Sequence, residues 1–226
     1  MARYLIVRLE GPMQAWGTHT FEDFRPSNLF PTRSALLGLL GACLGIDRKD
    51  HDGLEQLAES VEFTVRVDRA VTRPGSRTPQ QKQNTKLIDY HTVLDARKVD
   101  GKENKFPIQS RREYLFDAAF TVAIGEKHNA PVTLTEIAEA LVRPCFTPVL
   151  GRRSCPITRP LLDGASIEAS DGKKALKHAL PIGGLIYGEG DLISSQPIRI
   201  RDVPIPGARR QFSTRQVYLH KEEPCS

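Results

Sequence analysis

Residues 2–10, ARYLIVRLE, send Leu5, Val7 and Leu9 to one side of an extended chain and Tyr4, Ile6 and Arg8 to the other, the period-two pattern of a strand with two unlike faces. The kind of element that follows this strand, and in what order, constrains the fold more than any composition does. Pro31-Thr32-Arg33-Ser34 opens a helix in which Leu36, Leu37, Leu40, Cys43 and Leu44 recur at helical spacing, and LEQLAES adds a short helical extension. VEFTVRVDRAV then places Phe63, Val65 and Val67 on one face of a second strand. REYLFDAAFTVAIG, residues 112–125, reads as a longer and more apolar third strand. Thr133-Leu134-Thr135-Glu136 carries a capping-box pattern and starts a helix with Leu134, Ile137, Ala138, Leu141 and Val142 as its buried stripe. Cys145 to Leu150 supplies a fourth strand. Strand, helix, strand, strand, helix, strand is the ferredoxin-like order, so residues 1–150 are expected to form an α+β domain on the framework of RRM-type RNA-binding modules. The third strand lacks the interleaved aromatics of an RNP motif, which argues against bases stacked on the open sheet.

Two regions interrupt that order. Residues 72–110 are rich in Pro, Gln, Lys and Arg, and only TKLIDYHTVL (85–94) has strand character; so long a polar excursion inside a compact domain is either functional or disordered. Beyond residue 150 the chain turns Arg-, Gly- and Pro-rich with short strand-like pieces at Leu185–Tyr187, Ile198–Arg201 and Gln216–Leu219, read as a smaller β-rich C-terminal part over 151–226. Within the first helix, Gly38, Gly41 and Gly45 would each weaken an isolated helix by about 1 kcal/mol. They make sense where something approaches the helix backbone closely.

Charge narrows the function. The net charge of +5 is unevenly spread: Val71 to Arg112 holds ten Lys/Arg against four acids, and Arg143, Arg152, Arg153 and Arg159 face none between 143 and 159. Arg199, Arg201, Arg209, Arg210 and Arg215 are opposed only by Asp202. Clusters of this kind in Gly/Pro-punctuated loops suit a polyanion, because each neutralised phosphate releases counterions; the alternative is a solvated charged surface. The longest apolar run, residues 35–46, is twelve residues and too short to cross a bilayer, and Arg8 stands where a signal peptide would be apolar. A cytoplasmic protein is expected. Cys43, Cys145, Cys155 and Cys225 lie far apart, without the spacing of a zinc site or a disulfide framework, so they are read as reduced thiols, and no metal or cofactor is expected.

The stretches GPMQAWG (11–17), FPTRSALLGLLGACLGI (30–46), DYHTVL (89–94), REYLFDAAFTVA (112–123), TPVLGRRSCPITRPL (147–161) and RQFSTR (210–215) together resemble, in order and over nearly the whole chain, the CasD-like family of type I-E CRISPR Cascade complexes, within the RAMP superfamily. The resemblance implies a subunit that grips the 5′ handle of the CRISPR RNA at one end of the complex, with a thumb-like insertion where 72–110 lies. It also implies the CasC backbone subunit and the CasA large subunit as partners in an antiviral surveillance complex.

On that resemblance the candidate RNA-binding residues are Gln14, Trp16, Arg25, Arg33, Ser34, Tyr90, His91, Arg111, Arg112, Arg152 and Arg153. Trp16 either stacks a splayed nucleotide, worth about 1–3 kcal/mol per base, or plugs the space over the Gly-rich helix. Arg33 and Ser34 begin a helix, where free N–H groups and the positive dipole end favour an anion. Arg152 and Arg153 follow Gly151 and offer two guanidinium forks to phosphates. Arg111 and Arg112 stand at the base of the insertion, either holding the guide or pairing with Glu113 or Asp117; Tyr90 and His91 suit packing or subunit contact as well as RNA contact.

Catalysis is not expected. Metal-independent RNA cleavage needs a base and an acid around a 2′-hydroxyl, and the candidates, His19, His91, Tyr90 and Lys86, show no paired spacing among six scattered histidines. The competing readings are a metal-independent CRISPR RNA-processing endoribonuclease, as in some type I-C relatives, and a general single-stranded nucleic-acid-binding protein.

Overall fold

A computed structural model describes residues 1–18, 20, 23–68, 85–97, 100–104, 106–180, 183–189, 197–205 and 211–222. His19, residues 72–84 of the insertion, Arg209, Arg210 and Cys225 lie outside the described residues. In chain order the elements are β1 (Ala2–Glu10), β2 (Met13–Gln14), β3 (Trp16–Gly17), β4 (Phe24–Arg25), β5 (Ser27–Asn28), α1 (Arg33–Leu44), α2 (His51–Ser60) and β6 (Val61–Asp68). They continue as β7 (Thr85–Val93), β8 (Ile108–Phe116), β9 (Ala119–Glu126), α3 (Leu134–Val142), β10 (Ile167–Ala169), α4 (Gly172–Lys177), β11 (Gly184–Gly188), β12 (Pro197–Pro204) and β13 (Phe212–Glu222).

One antiparallel sheet runs in the order β10-β1-β9-β6-β11-β13-β12. Its first face carries Leu5, Val7 and Leu9 of β1, Phe63 and Val65 of β6 and Phe120, Val122 and Ile124 of β9, all buried with Leu36, Leu37 and Leu40 of α1 and Leu134, Ile137 and Leu141 of α3. Its second face buries Tyr4, Ile6 and Ala123 under Ala175, Leu176 and Ala179 of the α4 segment. On that face Arg66 donates to Asp68 at 2.8 Å and to the Leu176 and Ala179 carbonyls at 2.7 and 2.8 Å. A buried charge is tolerable where it is paired and hydrogen-bonded in this way.

The helices start where side chains satisfy their free N–H groups. Thr32 accepts from the Ala35 N–H, Asp50 from Gly53, and Thr133 and Glu136 close a reciprocal capping box. Gly45 ends α1 in the left-handed region at φ 79°, and a Cβ there would meet Cys145 Sγ at 2.8 Å. Of the three helix glycines this one shows the close approach the sequence suggested. Gly41 faces Leu54 and Leu57 at ordinary contact distance, and Gly38 opens to empty space.

Two expectations are corrected, and the sheet assignment of the C-terminal strands is added to them. The apolar run 112–125 is two strands: Asp117 turns the chain at φ 49°, leaving β8 in a second sheet and β9 in the first. Residues 145–150 are not a sheet strand, because Cys145 and Phe146 donate to the Cys43 and Ala42 carbonyls at the end of α1 and Leu150 donates to Cys155. The strand beside β1 is instead β10, farther along the chain. The strands beyond residue 150 form no separate sheet: β10 borders β1, while β11, β13 and β12 continue the same sheet past β6.

Candidate nucleic-acid interface

The second sheet has β8 at its centre. The hairpin partner β7 runs antiparallel along one edge, pairing Tyr90 with Arg111 and His91 with Ser110. On the other edge β2 pairs antiparallel at Phe116 and Leu115, and β4 pairs parallel, setting Phe24 beside Arg111 and Arg25 beside Arg112. Opposed residues of paired strands share a face. Tyr90 and Arg111 therefore stand together on one side, and His91, Arg112 and Arg25 on the other.

Five of the predicted cationic positions meet here. Arg152, half-buried, donates to the Glu113 carbonyl at 2.8 Å and the Arg25 carbonyl at 2.9 Å, with its guanidinium 4.7 Å from the centre of the Tyr114 ring. It ties β4 to β8. Arg153 and Arg111 are exposed, and the described residues offer their side chains no partner. Arg112 donates through Nε to Ser110 Oγ at 3.1 Å. Gly151 turns the chain at φ 87°, and a Cβ there would collide with the Ala15 carbonyl, so the arginine loop lies against the first strand's exit.

Glu113 anchors the sheet from within. It accepts from the Ser27 N–H at 3.0 Å and from Lys86 Nζ at 2.8 Å. Burial pushes its carboxyl up, but the Lys86 and Ser27 hydrogen bonds and the Lys86 and Arg152 charges together hold it below the ordinary value. Sequence reading offered Glu113 as a partner for Arg111 or Arg112; its partner is Lys86, which reaches it diagonally across the β7–β8 pair. His91 Nδ1 lies 3.0 Å from Asp89 Oδ2. Tyr90 is 57% exposed, and Leu94, Phe106 and Ile108 leave apolar surface open near the hairpin's far end.

The remaining candidates sit elsewhere. Trp16 is fully buried, its ring edge-on to Phe120 at a centroid distance of 6.1 Å, and its backbone N–H donates to Ser27 Oγ at 2.9 Å. Gln14, also fully buried, donates to the Leu9 and Ala118 carbonyls at 3.1 and 2.6 Å. The GPMQAWG loop thus turns both side chains inward, and neither presents a face to a nucleotide in this structure. The start of α1 does hold an anion, but an internal one: the Arg33 N–H donates to Asp202 Oδ2 at 2.7 Å. The Arg33 guanidinium bonds Glu189 at 2.7 and 2.9 Å and the Ala58 carbonyl at 2.7 Å, and Arg215 grips Asp202 with two bonds at 2.7 and 2.8 Å. Ser34 Oγ stays 3.3 Å from Thr32 Oγ1. A clue was present in the sequence, where Asp202 is the single acid in its arginine cluster.

Among the described residues no helix is long and apolar enough to cross a membrane, and no group of three or more His, Cys, Asp or Glu could hold a metal ion. The exposed guanidinium groups of Arg111 and Arg153 and the exposed ring of Tyr90 make this sheet the candidate interface. Residues 4–218 match the family model "CRISPR-associated protein (Cas_Cas5)", and the chain belongs to that family. It is 48% identical to the CRISPR system Cascade subunit CasD of Escherichia coli (strain K12) over 223 residues, 98% of this chain and 97% of that protein. Among solved structures it is similar to a chain of a "CRISPR RNA-guided surveillance complex", with a TM-score of 0.74, 28% identity and coverage of 97% of this chain and 90% of that one. A second, titled "Crystal structure of Cas protein", gives 0.67 and 25%, covering 97% and 94%.

Proposed function

We propose that the chain is the non-catalytic Cascade subunit that holds the 5′ handle of the CRISPR RNA and closes one end of the CasC backbone, in the cytoplasm. The observation that carries this reading is the gathering of Arg25, Arg111, Arg112, Arg152 and Arg153 around one small sheet, from three separated segments of sequence, with the exposed ring of Tyr90 opposite Arg111. Phosphates take the guanidinium groups; the sheet supplies position, and base pairing elsewhere in the guide supplies sequence. The exposed Leu94, Phe106 and Ile108 suit burial against the neighbouring CasC subunit. CasA at the same end follows from the family likeness alone. We also read β10-β1-β9-β6 as a ferredoxin-like core, since β1, β6, β9 and β10 are its first to fourth strands and stand in the order 4-1-3-2, all antiparallel.

A binding role is also supported by the separation of the acid–base candidates. His91 and Tyr90 are neighbours on one strand and point to opposite faces, and Lys86 is engaged with Glu113. The test is fluorescence anisotropy of the purified chain with a 5′-handle RNA and a scrambled control. Preference for the handle with the RNA recovered intact is expected. Equal affinity for both, or cleavage of the repeat abolished by His91→Ala, overturns the reading.

A further inference from the structure

Among the described residues, part of the second face of the large sheet has no helix over it. α4 packs over β1, β9 and β6 and reaches only the near edge of β11, so β13 and the edge strand β12 lie outside its shelter. Register sets the side chains of that open area: Arg201 opposite Thr214, Arg199 opposite Gln216, and Pro197 opposite Tyr218, which in turn lies opposite Gly188. Arg199, Arg201, Thr214 and Gln216 are exposed and Tyr218 is half-exposed. The other face of the same strands buries Val217 and locks Arg215 to Asp202. The third arginine cluster of the sequence is therefore divided by strand alternation: Arg215 is consumed inside, and Arg199 and Arg201 are turned out.

We propose that this ledge is a second nucleic-acid site, separate from the β7–β8 sheet, which takes a single strand across β12 and β13. Its chemistry matches that ligand and no acidic one would be repelled from it. Among the described residues of β11, β12 and β13, register sets one acidic position on this face, Glu222 at the far end of β13 opposite Gly184, and Arg199, beside Gln216, has no partner there. Arg201 keeps its Nε on the Phe212 carbonyl of β13 at 2.8 Å, and the described residues offer its other donors no partner. Tyr218, opposite the small Gly188, donates its hydroxyl to Gln216 Oε1 at 3.2 Å, Thr214 adds a neutral hydroxyl, and exposed Lys177 adds positive charge along α4. Single strands are held by this combination of backbone-tracking cations and a ring on which a base stacks.

The test uses the full chain and a fluorescent oligouridine of about 15 nucleotides that lacks any handle sequence. Affinity is followed by anisotropy from about 50 to 200 mM NaCl. Arg199→Glu with Arg201→Glu is expected to weaken binding about tenfold and to flatten the dependence of log K on log salt by about two units. Arg199→Glu alone, at a side chain with no partner to lose, is expected to give about half that change in slope and keeps the test valid should the double variant misfold. A photoreactive uridine is expected to crosslink to the 212–222 peptide at Tyr218, including in an Arg111→Ala, Arg153→Ala background. Unchanged affinity and slope in both Arg199 variants, or crosslinks confined to the β7–β8 hairpin, overturns the proposal and leaves the ledge to a protein partner or to solvent.

Discussion

Arg152 and Arg153 are adjacent in sequence yet should fail in different ways when truncated. Arg152 makes two charge-assisted hydrogen bonds to backbone carbonyls, Glu113 at 2.8 Å and Arg25 at 2.9 Å, and covers the Tyr114 ring at 4.7 Å. Bonds to a charged donor contribute about 1.5–3 kcal/mol each and an exposed cation–π contact about 0.5–1 kcal/mol. The side chain is half-buried, so water recovers part of this when the guanidinium is removed, and Arg152→Ala should cost about 2–4 kcal/mol. For a chain of this size that is a fall in Tm of roughly 4–16 °C. Arg152→Lys keeps the charge but loses the fork and should fall between. Arg153→Ala should leave stability within about 0.5 kcal/mol while lowering handle affinity and reducing the salt slope by about one. Calorimetry and anisotropy on the three variants read both quantities. If Arg152→Ala melts with the unmodified protein and loses affinity as Arg153→Ala does, Arg152 holds phosphate and not the two carbonyls, and the division of labour argued here is wrong.

Trp16→Ala should lower stability by about 3–5 kcal/mol, as large core truncations do, without changing the handle affinity of the folded fraction. Trp16→Phe should be milder, because the indole N–H it removes is buried without a partner; a normal melt with about a tenfold loss of affinity would restore the stacking role. Glu113, with its pKa lowered in the fold, stabilises fully above the ordinary carboxylate value of 4.5 and loses that contribution as pH falls through the folded value. Glu113→Gln should therefore flatten the stability–pH curve on the acid side, measured by denaturant melts at several pH values, and an unaltered curve would remove Glu113 as its source.

Periodicity carried most of the fold because each strand has one face against α1 and α3 and must alternate to bury it: Leu5-Val7-Leu9 and Phe63-Val65 are visible for that reason. The 112–125 run misled because Tyr114 and Leu115 are buried in the second sheet and Phe120 and Val122 in the first, so hydrophobicity continues across the corner at Asp117. β10 was hidden by its three-residue length. For the site, the arginines of the hairpin and the 151–153 loop were accessible as charge, whereas the fates of Arg33, Trp16 and Gln14 depend on Asp202, Phe120 and Ala118, remote positions to which no local pattern points.

The pairing of β6 with β11 has a consequence for biosynthesis. Asp68 ends β6, yet the strand that covers its outer side is complete only at Gly188, 120 residues later. At about 5–20 residues per second, the ribosome leaves that row of backbone donors and acceptors uncovered for roughly 6–24 s. Chains at this stage present a ready template for one another, so slowing translation after residue 68 should raise aggregation of the nascent protein more than slowing it after residue 188.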